Sequence, residues 1–280
     1  MNLSVDLFSP HIEQNLVWEI AGQKSPYPKS PLRYPGGKAR AVGIILSLIP
    51  ADIKIMISPF LGGGSVEIAA AFFGVKVLGF DLFDPLIAFW QELLNNPIQL
   101  AEEVQKFLPL DKNRFYELQE TYPTTRLGVA TQFYVLNRAS FSGATMSGGM
   151  SPGHPRFTQS SIDYLRNFES PNLTVQKQDF RMTLPYEPDN FMYLDPPYLI
   201  ESNLYGRKGS THKGFDHHSL WQLLKNRSKW ILSYNNCDEI RDLYKGFRIL
   251  CPEWKYGMSS NKQSKEIIIL SNDLPDIIGG

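Results

Sequence analysis

Cysteine is scarce in this 280-residue chain, which contains only Cys237 and Cys251. The two residues lack the spacing of a metal site, and isolated thiols of this kind are typical of reduced cysteines in a cytosolic protein. No apolar run reaches the ~18 residues of a membrane span, because charged residues interrupt the longest candidate, 43–61. Residues 1–10 lack a basic start followed by an apolar run, so no secretory signal is expected. We therefore expect a cytoplasmic protein that does not contact a membrane.

The chain also lacks net charge, because its 28 basic residues balance 28 acidic ones. Neutrality alone argues against a nucleic-acid partner. The charges are nevertheless segregated: residues 24–40 contain five basic and no acidic residues, 201–230 contain six basic and two acidic ones, and 81–103 is acidic. Such segregation can give a neutral protein one basic face, although a random surface mixture is the alternative.

Short apolar strands alternate with helices in two parts of the chain. Strands are predicted at 53–57, 75–80, 173–176, 191–194, 230–234, 247–251 and 266–270, and helices at 38–48, 65–73, 85–95 and 215–226, with Asp84 as a helix cap. Units of this kind build parallel sheets. Residues 97–140 show helical periodicity instead, and 141–157 is rich in glycine and serine. The simplest architecture is one doubly wound α/β sheet interrupted by a mostly helical insert.

A glycine-rich turn, Phe60 to Ser65 (FLGGGS), lies between a predicted strand and a predicted helix. Gly62 and Gly64 would let the backbone turn sharply and approach a ligand closely. Asp81 ends the next strand, where an acid can accept hydrogen bonds from ribose hydroxyls. The pattern indicates a nucleotide-like cofactor, but a nicotinamide cofactor or a plain tight turn would also explain it.

The segment Asp195-Pro196-Pro197-Tyr198 follows another apolar strand. Its two prolines make a rigid loop that presents the Asp195 carboxylate and the Pro196 carbonyl at a fixed position. Two such acceptors suit an exocyclic amine, and Tyr198 supplies a face on which a base can stack. The alternative is a strand-ending turn with a buried aspartate cap.

Over residues 31–270 the chain resembles the DNA adenine methyltransferases of the Dam type, the alpha group of the D12 class. The stretches that carry the resemblance are LRYPGGK at 32–38, SPFLGGGS at 58–65, Asp81, QDF at 178–180 and DPPY at 195–198. The resemblance implies a Rossmann-like methyltransferase sheet that binds S-adenosylmethionine. It also implies methyl transfer to the exocyclic amine of adenine in double-stranded DNA after base flipping.

The resemblance divides the chain into an amino-terminal arm (1–30), a catalytic domain (31–96 and 186–280) and a target-recognition insert (97–185). It implies Asp195, Pro196 and Tyr198 as catalytic residues. The implied cofactor-binding residues are Tyr34, Lys38, Phe60, Gly62, Gly64, Asp81, Asp179, Phe180 and Asp195, with Asp179 accepting a hydrogen bond from the adenine amine of the cofactor. Two positions depart from the family pattern: Ser58 stands where many relatives carry Glu, and Tyr34 where better-known members carry Trp.

Sequence readout is expected in the insert. Arg138 lies in NRASFSG at 137–143, and Arg156 ends a loop, 140–156, whose length and small residues suit a hairpin; a floppy surface loop is the alternative. Arginine can read guanine or bind phosphate, and the basic residues Lys208 and Lys213 are further candidates for DNA contact. His217 and His218 begin a helix that resembles a family segment near the target pocket, although solvent-facing residues of a first helical turn would look the same.

Other functions stay open at this stage. The same machinery can methylate the cytosine exocyclic amine or a base in structured RNA, and a relative without activity would keep only DNA binding. We expect a monomer with no metal site. A cognate restriction endonuclease acting separately is left open as a partner.

Overall fold

The computed structural model describes residues 26–34, 36–152, 156–186, 189–199, 214–252 and 266–275. Lys208 and Lys213 lie outside these ranges, as do residues 1–25 of the predicted arm. The last residues of that arm are described, and Tyr27 packs edge-on against Phe73 with ring centroids 6.2 Å apart.

The strands of the described ranges are β1 Ile55–Ser58, β2 Lys76–Asp81, β3 Leu173–Lys177, β4 Phe191–Leu194, β5 Trp230–Asn235, β6 Arg248–Leu250 and β7 Glu266–Leu270. They form one seven-stranded sheet in the order β3-β2-β1-β4-β5-β7-β6. Strands β1 to β5 pair in parallel, whereas β7 is antiparallel to both β5 and β6. The predicted α/β fold with a Rossmann-like sheet is confirmed.

Helices cover both faces of this sheet. In the described part of the chain they are α1 Val42–Leu48, α2 Ser65–Phe72, α3 Asp84–Asn95, α4 Pro97–Gln105, α5 Lys112–Glu120, α6 Arg126–Ala139, α7 Gln159–Arg166, α8 Phe180–Tyr186, α9 His217–Leu224 and α10 Asp238–Leu243. Successive strand residues point to opposite faces, so Tyr193 joins the core that contains Trp90, while Leu194 joins the core that contains Trp230. Because both faces are covered, the strand β4 is apolar and buried throughout.

The strand order places a crevice between β1 and β4. The chain leaves β1 towards β2 and β3 on one side and continues from β4 to β5 on the other. At such a switch point the loops at the carboxyl ends of the two strands diverge and leave room for a ligand. The glycine turn follows β1, and Asp195 follows β4.

Helices α4 to α7 form the helical part of the predicted insert, and this part packs on α3. The Phe89 and Tyr134 rings stack between α3 and α6 at 5.5 Å, and Arg126 pairs with the buried Glu92. The range 97–185 also includes β3, which pairs with β2, and α8, whose Phe180 and Leu184 lie in the second core. Part of the range assigned to the insert therefore belongs to the layers of the sheet.

Two local predictions need correction. The helix expected from residue 38 begins at Val42, because the preceding residues form turns in which Gly37 donates to the Tyr34 carbonyl and Ala41 to the Lys38 carbonyl. Asp84 does not cap α3. It is the first residue of that helix, and its carboxylate pairs with Lys177 across the sheet edge at 2.7 Å.

None of the helices in the described ranges is long and apolar enough to cross a membrane.

Candidate functional site

The glycine turn after β1 has a conformation that requires glycine. Gly64 has φ +65°, and a Cβ atom at this position would lie 2.9 Å from the Trp90 ring. The Trp90 indole donates to the Gly62 carbonyl at 3.1 Å, and the Leu61 amide donates to the Phe80 carbonyl at 2.8 Å. The turn is therefore fixed between α3 and β2.

Asp81, at the end of β2, is bonded to this turn. One carboxylate oxygen accepts from the Leu82 and Phe83 amides at 2.8 and 3.1 Å, and the other accepts from the Gly62 amide at 3.1 Å. Burial raises the pKa of Asp81, and these bonds oppose the rise. A carboxylate has about four acceptor positions, so Asp81 keeps capacity for a hydroxyl donor beyond the three amides.

Asp195, directly after β4, forms an ion pair with Lys38. The Lys38 ammonium lies 2.8 Å from one carboxylate oxygen and 2.9 Å from the other, and it also donates to the Gly36 carbonyl at 2.9 Å. Glu266 on β7 is 3.9 Å away. The side chain of Lys38 is 3% exposed and that of Asp195 22%. Burial raises the pKa of Asp195, and the Lys38 charge opposes this, so the pair keeps a carboxylate at the mouth of the crevice.

Tyr34 lies close enough to both carboxylates to interact with them electrostatically. A Cβ atom on Gly62 would come within 3.0 Å of its ring, so the ring lies against the glycine turn. Burial raises the pKa of Tyr34, and the charges of Asp81 and then Asp195 raise it further. The predicted cofactor residues and the predicted catalytic aspartate thus meet around one side chain.

Pro196 and Tyr198 extend the site from Asp195. The Pro196 residue is buried, and the Tyr198 ring is partly exposed. The Lys38 ammonium lies 4.9 Å from the centre of the Tyr198 ring, and the Tyr234 ring lies 6.0 Å from it at an interplanar angle of 26°.

Phe60 and Phe180 contribute an aromatic cluster beside the glycine turn. Their rings are 5.5 Å apart, and Phe215 lies 5.5 Å from the first and 5.3 Å from the second. Asp179 is engaged by its neighbour Arg181, whose guanidinium nitrogens lie 2.9 and 2.6 Å from its two carboxylate oxygens. This hydrogen bonding lowers the pKa of Asp179. A cofactor amine would share the carboxylate with Arg181.

Glu67 is a residue of the site that the sequence did not reveal. It is 2% exposed on α2 and accepts a hydrogen bond from Ser58 at 2.6 Å. Burial raises its pKa to about 7; the Ser58 bond opposes the rise, while the Asp195 charge adds to it. The available signal was a single acid in the otherwise apolar helix SVEIAAAF. A carboxyl is therefore present beside Ser58.

Arg138 and Arg156 lie together, but their side chains differ in burial and in hydrogen bonding. Arg138 is partly buried and donates to the backbone carbonyls of Arg156 at 3.1 Å and Pro31 at 3.3 Å. Burial lowers its pKa. These bonds hold the amino-terminal segment to the insert, and a contact between Arg138 and DNA stays a prediction. Arg156 is exposed.

Arg33 joins these two arginines, and the sequence did not single it out as a contact. Its backbone exchanges two hydrogen bonds with the Asn137 side chain, both 2.9 Å, and its guanidinium donates to the Ser140 carbonyl at 2.9 Å. Burial lowers the pKa of Arg33, as do the charges of Arg156 and Arg138. Three arginines therefore interact electrostatically on one surface.

The described part of the loop after α6 is anchored, but it is not a hairpin of two strands. It contains the short 3-10 helices Phe141–Gly143 and Thr145–Ser147 and one antiparallel bridge between Ser140 and Met150. Gly143 has φ +74°, and a Cβ atom there would lie 1.9 Å from the Arg33 carbonyl oxygen. The Phe141 side chain is 63% exposed beside the arginines.

The two histidines of α9 point in different directions. His217 is half-buried, its Nδ1 is hydrogen-bonded to the Tyr234 hydroxyl, and it packs on Phe215 with centroids 4.9 Å apart. His218 is exposed and bonds to Gln222 at 3.0 Å. Only His217 thus lies on the side of the site, behind Tyr198.

Among the described residues, no group of three or more His, Cys, Asp or Glu side chains has the arrangement of a metal site.

Comparison with known proteins agrees with this geometry. A family model described as D12 class N6 adenine-specific DNA methyltransferase matches residues 34–258. The chain is 27% identical over 232 residues to the type II methyltransferase M.CviBI of Paramecium bursaria Chlorella virus NC1A, covering 77% of this chain and 86% of that protein. It is 23% identical over 245 residues to M1.LlaDCHI of Lactococcus lactis subsp. cremoris, covering 78% and 84%. It is 26% identical over 212 residues to the modification methylase StsI of Streptococcus sanguinis, covering 65% of this chain and 31% of that protein.

The buried Glu67 should make stability depend on pH. Because folding raises its pKa from 4.5 to about 7, stability is lost as pH rises through this window, by about 3 kcal/mol at full ionisation. We expect the free energy of unfolding of Glu67→Gln, relative to the unchanged protein, to rise between pH 5 and pH 8 in urea titrations. Glu102→Gln, at an exposed position on α4, is the control. A difference for Glu67→Gln that does not vary with pH would contradict this assignment.

Proposed function

The chain belongs to the D12 class N6 adenine-specific DNA methyltransferases, and from this premise we propose that Asp195, Pro196 and Tyr198 bind the target adenine. The family methylates adenine in DNA, and the relatives named as type II methyltransferases and a modification methylase place this activity within restriction-modification. The target amine lies inside the duplex, so we propose that the nucleotide turns out of double-stranded DNA at a cost of a few kcal/mol.

One observation carries the assignment of the site. Asp81 and Asp195, which end β2 and β4, both interact with Tyr34 in the crevice at the switch point of the sheet. An acid suited to a ribose and an acid suited to an amine therefore both lie near one aromatic side chain. A nucleoside cofactor and a target base that meet in one crevice need both acids in that crevice.

The methyl donor that suits these residues is S-adenosylmethionine. The retained acceptor capacity of Asp81 suits a ribose hydroxyl, the aromatic pair Phe60 and Phe180 offers apolar surface beside the turn, and Asp179 carries a carboxylate for an amine. Gly62 and Gly64 keep the backbone close to this place, and Tyr34 and Lys38 line the other side. The cofactor, when bound, supplies a methyl group on a positively charged sulfur.

The residues of the chain prepare the amine for that methyl. Asp195 and the Pro196 carbonyl accept the two amine hydrogens, which draws the nitrogen lone pair out of conjugation with the ring. Lys38 occupies one side of the carboxylate and keeps it ionised, so acceptor positions remain for the amine. Tyr198 offers its face for stacking, which is worth about 1–3 kcal/mol per base. Holding the amine in line with the methyl contributes several kcal/mol more.

The surface around Arg33, Arg156 and Phe141 is proposed to contact DNA. Arg156 and Phe141 are exposed there, and a base that leaves the stack opens a gap that an apolar side chain can fill. Arg138, Lys208 and Lys213 are kept as proposed contacts. We propose that the enzyme acts as a monomer, separately from any cognate endonuclease.

Replacement of Asp195 tests the catalytic assignment. Asp195→Ala should abolish formation of N6-methyladenine, because the amine loses its charged acceptor, while affinity for S-adenosylmethionine changes little. Mass spectrometry of DNA nucleosides measures the product, and calorimetry measures cofactor binding. A variant that kept near-normal turnover would rule out Asp195 as the catalytic acceptor.

Replacement of Asp81 tests the cofactor assignment. Asp81→Ala should weaken S-adenosylmethionine binding, because each hydrogen bond to a charged group contributes about 1.5–3 kcal/mol. Asp81→Asn keeps an acceptor for the Leu82 and Phe83 amides but not the second carboxylate oxygen bonded to Gly62. Its affinity should fall between those of Asp81→Ala and the unchanged protein. Equal affinities in calorimetry for all three proteins would show that the cofactor does not use Asp81.

Arg156→Ala tests the DNA surface. If Arg156 reads a guanine, binding at that one base pair should weaken by about 1–3 kcal/mol with relaxed discrimination. If it binds phosphate, affinity should fall for all sequences and the salt slope should drop by about one. Competition between cognate DNA and single-base variants at two salt concentrations separates these results. Arg241→Ala, on α10, is the control. If Arg156→Ala and Arg241→Ala bound DNA identically, the DNA-contact surface would lie elsewhere.

A further inference from the structure

The loop that carries Asp195 and Tyr198 contains two residues that cannot donate a backbone hydrogen bond. Pro196 and Pro197 have no N–H group, so neither can donate a hydrogen bond that ties the loop to the sheet. The position of the Tyr198 ring therefore depends on contacts made by the residues that follow the prolines.

Asn235, the last residue of β5, makes such a contact. Its side-chain oxygen accepts from the Leu199 amide at 3.0 Å, and its side-chain nitrogen donates to the Leu199 carbonyl at 2.8 Å. The amide group thus binds both backbone groups of the residue next to Tyr198. Asn235 also pairs with Glu266 across the sheet, and Glu266 lies 3.9 Å from Lys38.

The residue before Asn235 supports the Tyr198 ring from behind. Tyr234 is fully buried, its ring lies 6.0 Å from the Tyr198 ring at 26°, and its hydroxyl is hydrogen-bonded to His217. Burial raises the pKa of Tyr234 and lowers that of His217, so both groups are neutral near pH 7. The two residues therefore form a neutral, packed layer under the ring.

We propose that Asn235 is a positioning residue, which fixes the Tyr198 ring in the position where the target base stacks on it. Tyr234 and His217 form the layer that supports this ring. The inference rests on the proposed function of Tyr198. Asn235 touches neither the amine nor the cofactor in this arrangement and acts through Leu199 and Tyr198.

Removal of the amide should affect the target base and spare the cofactor. In Asn235→Ala both bonds to Leu199 are lost, and the single-turnover rate of adenine methylation should fall about 10–100-fold, the effect expected when a reacting group is misplaced. In DNA with 2-aminopurine in place of the target adenine, the probe fluorescence should show that the flipped base is less ordered in the complex with Asn235→Ala than in that with the unchanged protein. The affinity for S-adenosylmethionine, measured by calorimetry, should stay unchanged. Asn95→Ala, whose side chain bonds only within its own helix among the described contacts, is the matched control.

The pH dependence of the methylation rate of Asn235→Asp distinguishes a positioning role of Asn235 from general destabilisation of the protein. A protonated carboxyl has one donor and keeps an acceptor, as the amide does, whereas an ionised carboxylate has no donor for the Leu199 carbonyl. The introduced carboxyl would lie opposite Glu266 on β7, and this neighbouring carboxylate should raise its pKa. The rate of Asn235→Asp divided by that of the unchanged protein should therefore rise as pH falls from about 8 to about 5.5. The same ratio for Asn235→Ala should stay flat.

The outcomes separate this inference from the proposed function. An active unchanged protein together with a normal rate in Asn235→Ala would overturn the positioning role, as would a ratio for Asn235→Asp that does not vary with pH. If Asn235→Ala failed to fold, the pH dependence of Asn235→Asp would still decide. An unchanged protein that forms no methyladenine would instead overturn the proposed function.

Discussion

The ion pair between Lys38 and Asp195 is the interaction on which the site depends. The Asp195 carboxylate, at the end of a buried strand, would be costly to ionise without a positively charged partner. That partner is Lys38, which lies 157 residues earlier in the chain. The ammonium is held by two carboxylate oxygens and one carbonyl, so the charge is both compensated and fixed. Other residues of the site lie near this pair: Tyr34 interacts with both Asp195 and Asp81, and the Tyr198 ring centre is 4.9 Å from the Lys38 ammonium.

Much of the fold could be read from the sequence because each part had an unambiguous local signal. Strands β4 and β7 are apolar and short, and their predicted bounds match those in the structure. The glycine turn and the aspartate at the end of β2 have the spacing of a βαβ unit, which the structure contains. The predicted adenine-specific DNA methylation is confirmed by the family match, while the assignment of individual site residues stays a prediction.

What the sequence did not predict depends on contacts between distant segments. Nothing in the local pattern distinguishes Arg138, which binds backbone carbonyls, from Arg156, which is exposed. The same holds for Glu67, whose partner Ser58 precedes it by nine residues across a turn, and for Asn235, which bonds to a loop 36 residues earlier. These roles follow from the distant groups that each side chain meets after folding, and the local period of the sequence carries no information about those partners.

The segment before α1 is shared by two surfaces, and this has a thermodynamic consequence. In the insert, the Asn137 side chain is hydrogen-bonded to the backbone of Arg33, and Gly143 packs closely against the Arg33 carbonyl. The adjacent Tyr34 packs against the glycine turn. We therefore expect a change in this loop, which is proposed to contact DNA, to alter the position of Tyr34 against the glycine turn. Because linkage is reciprocal, whatever free energy the cofactor adds to DNA binding, DNA must add equally to cofactor binding. DNA binding and cofactor binding would then be thermodynamically coupled through this one segment.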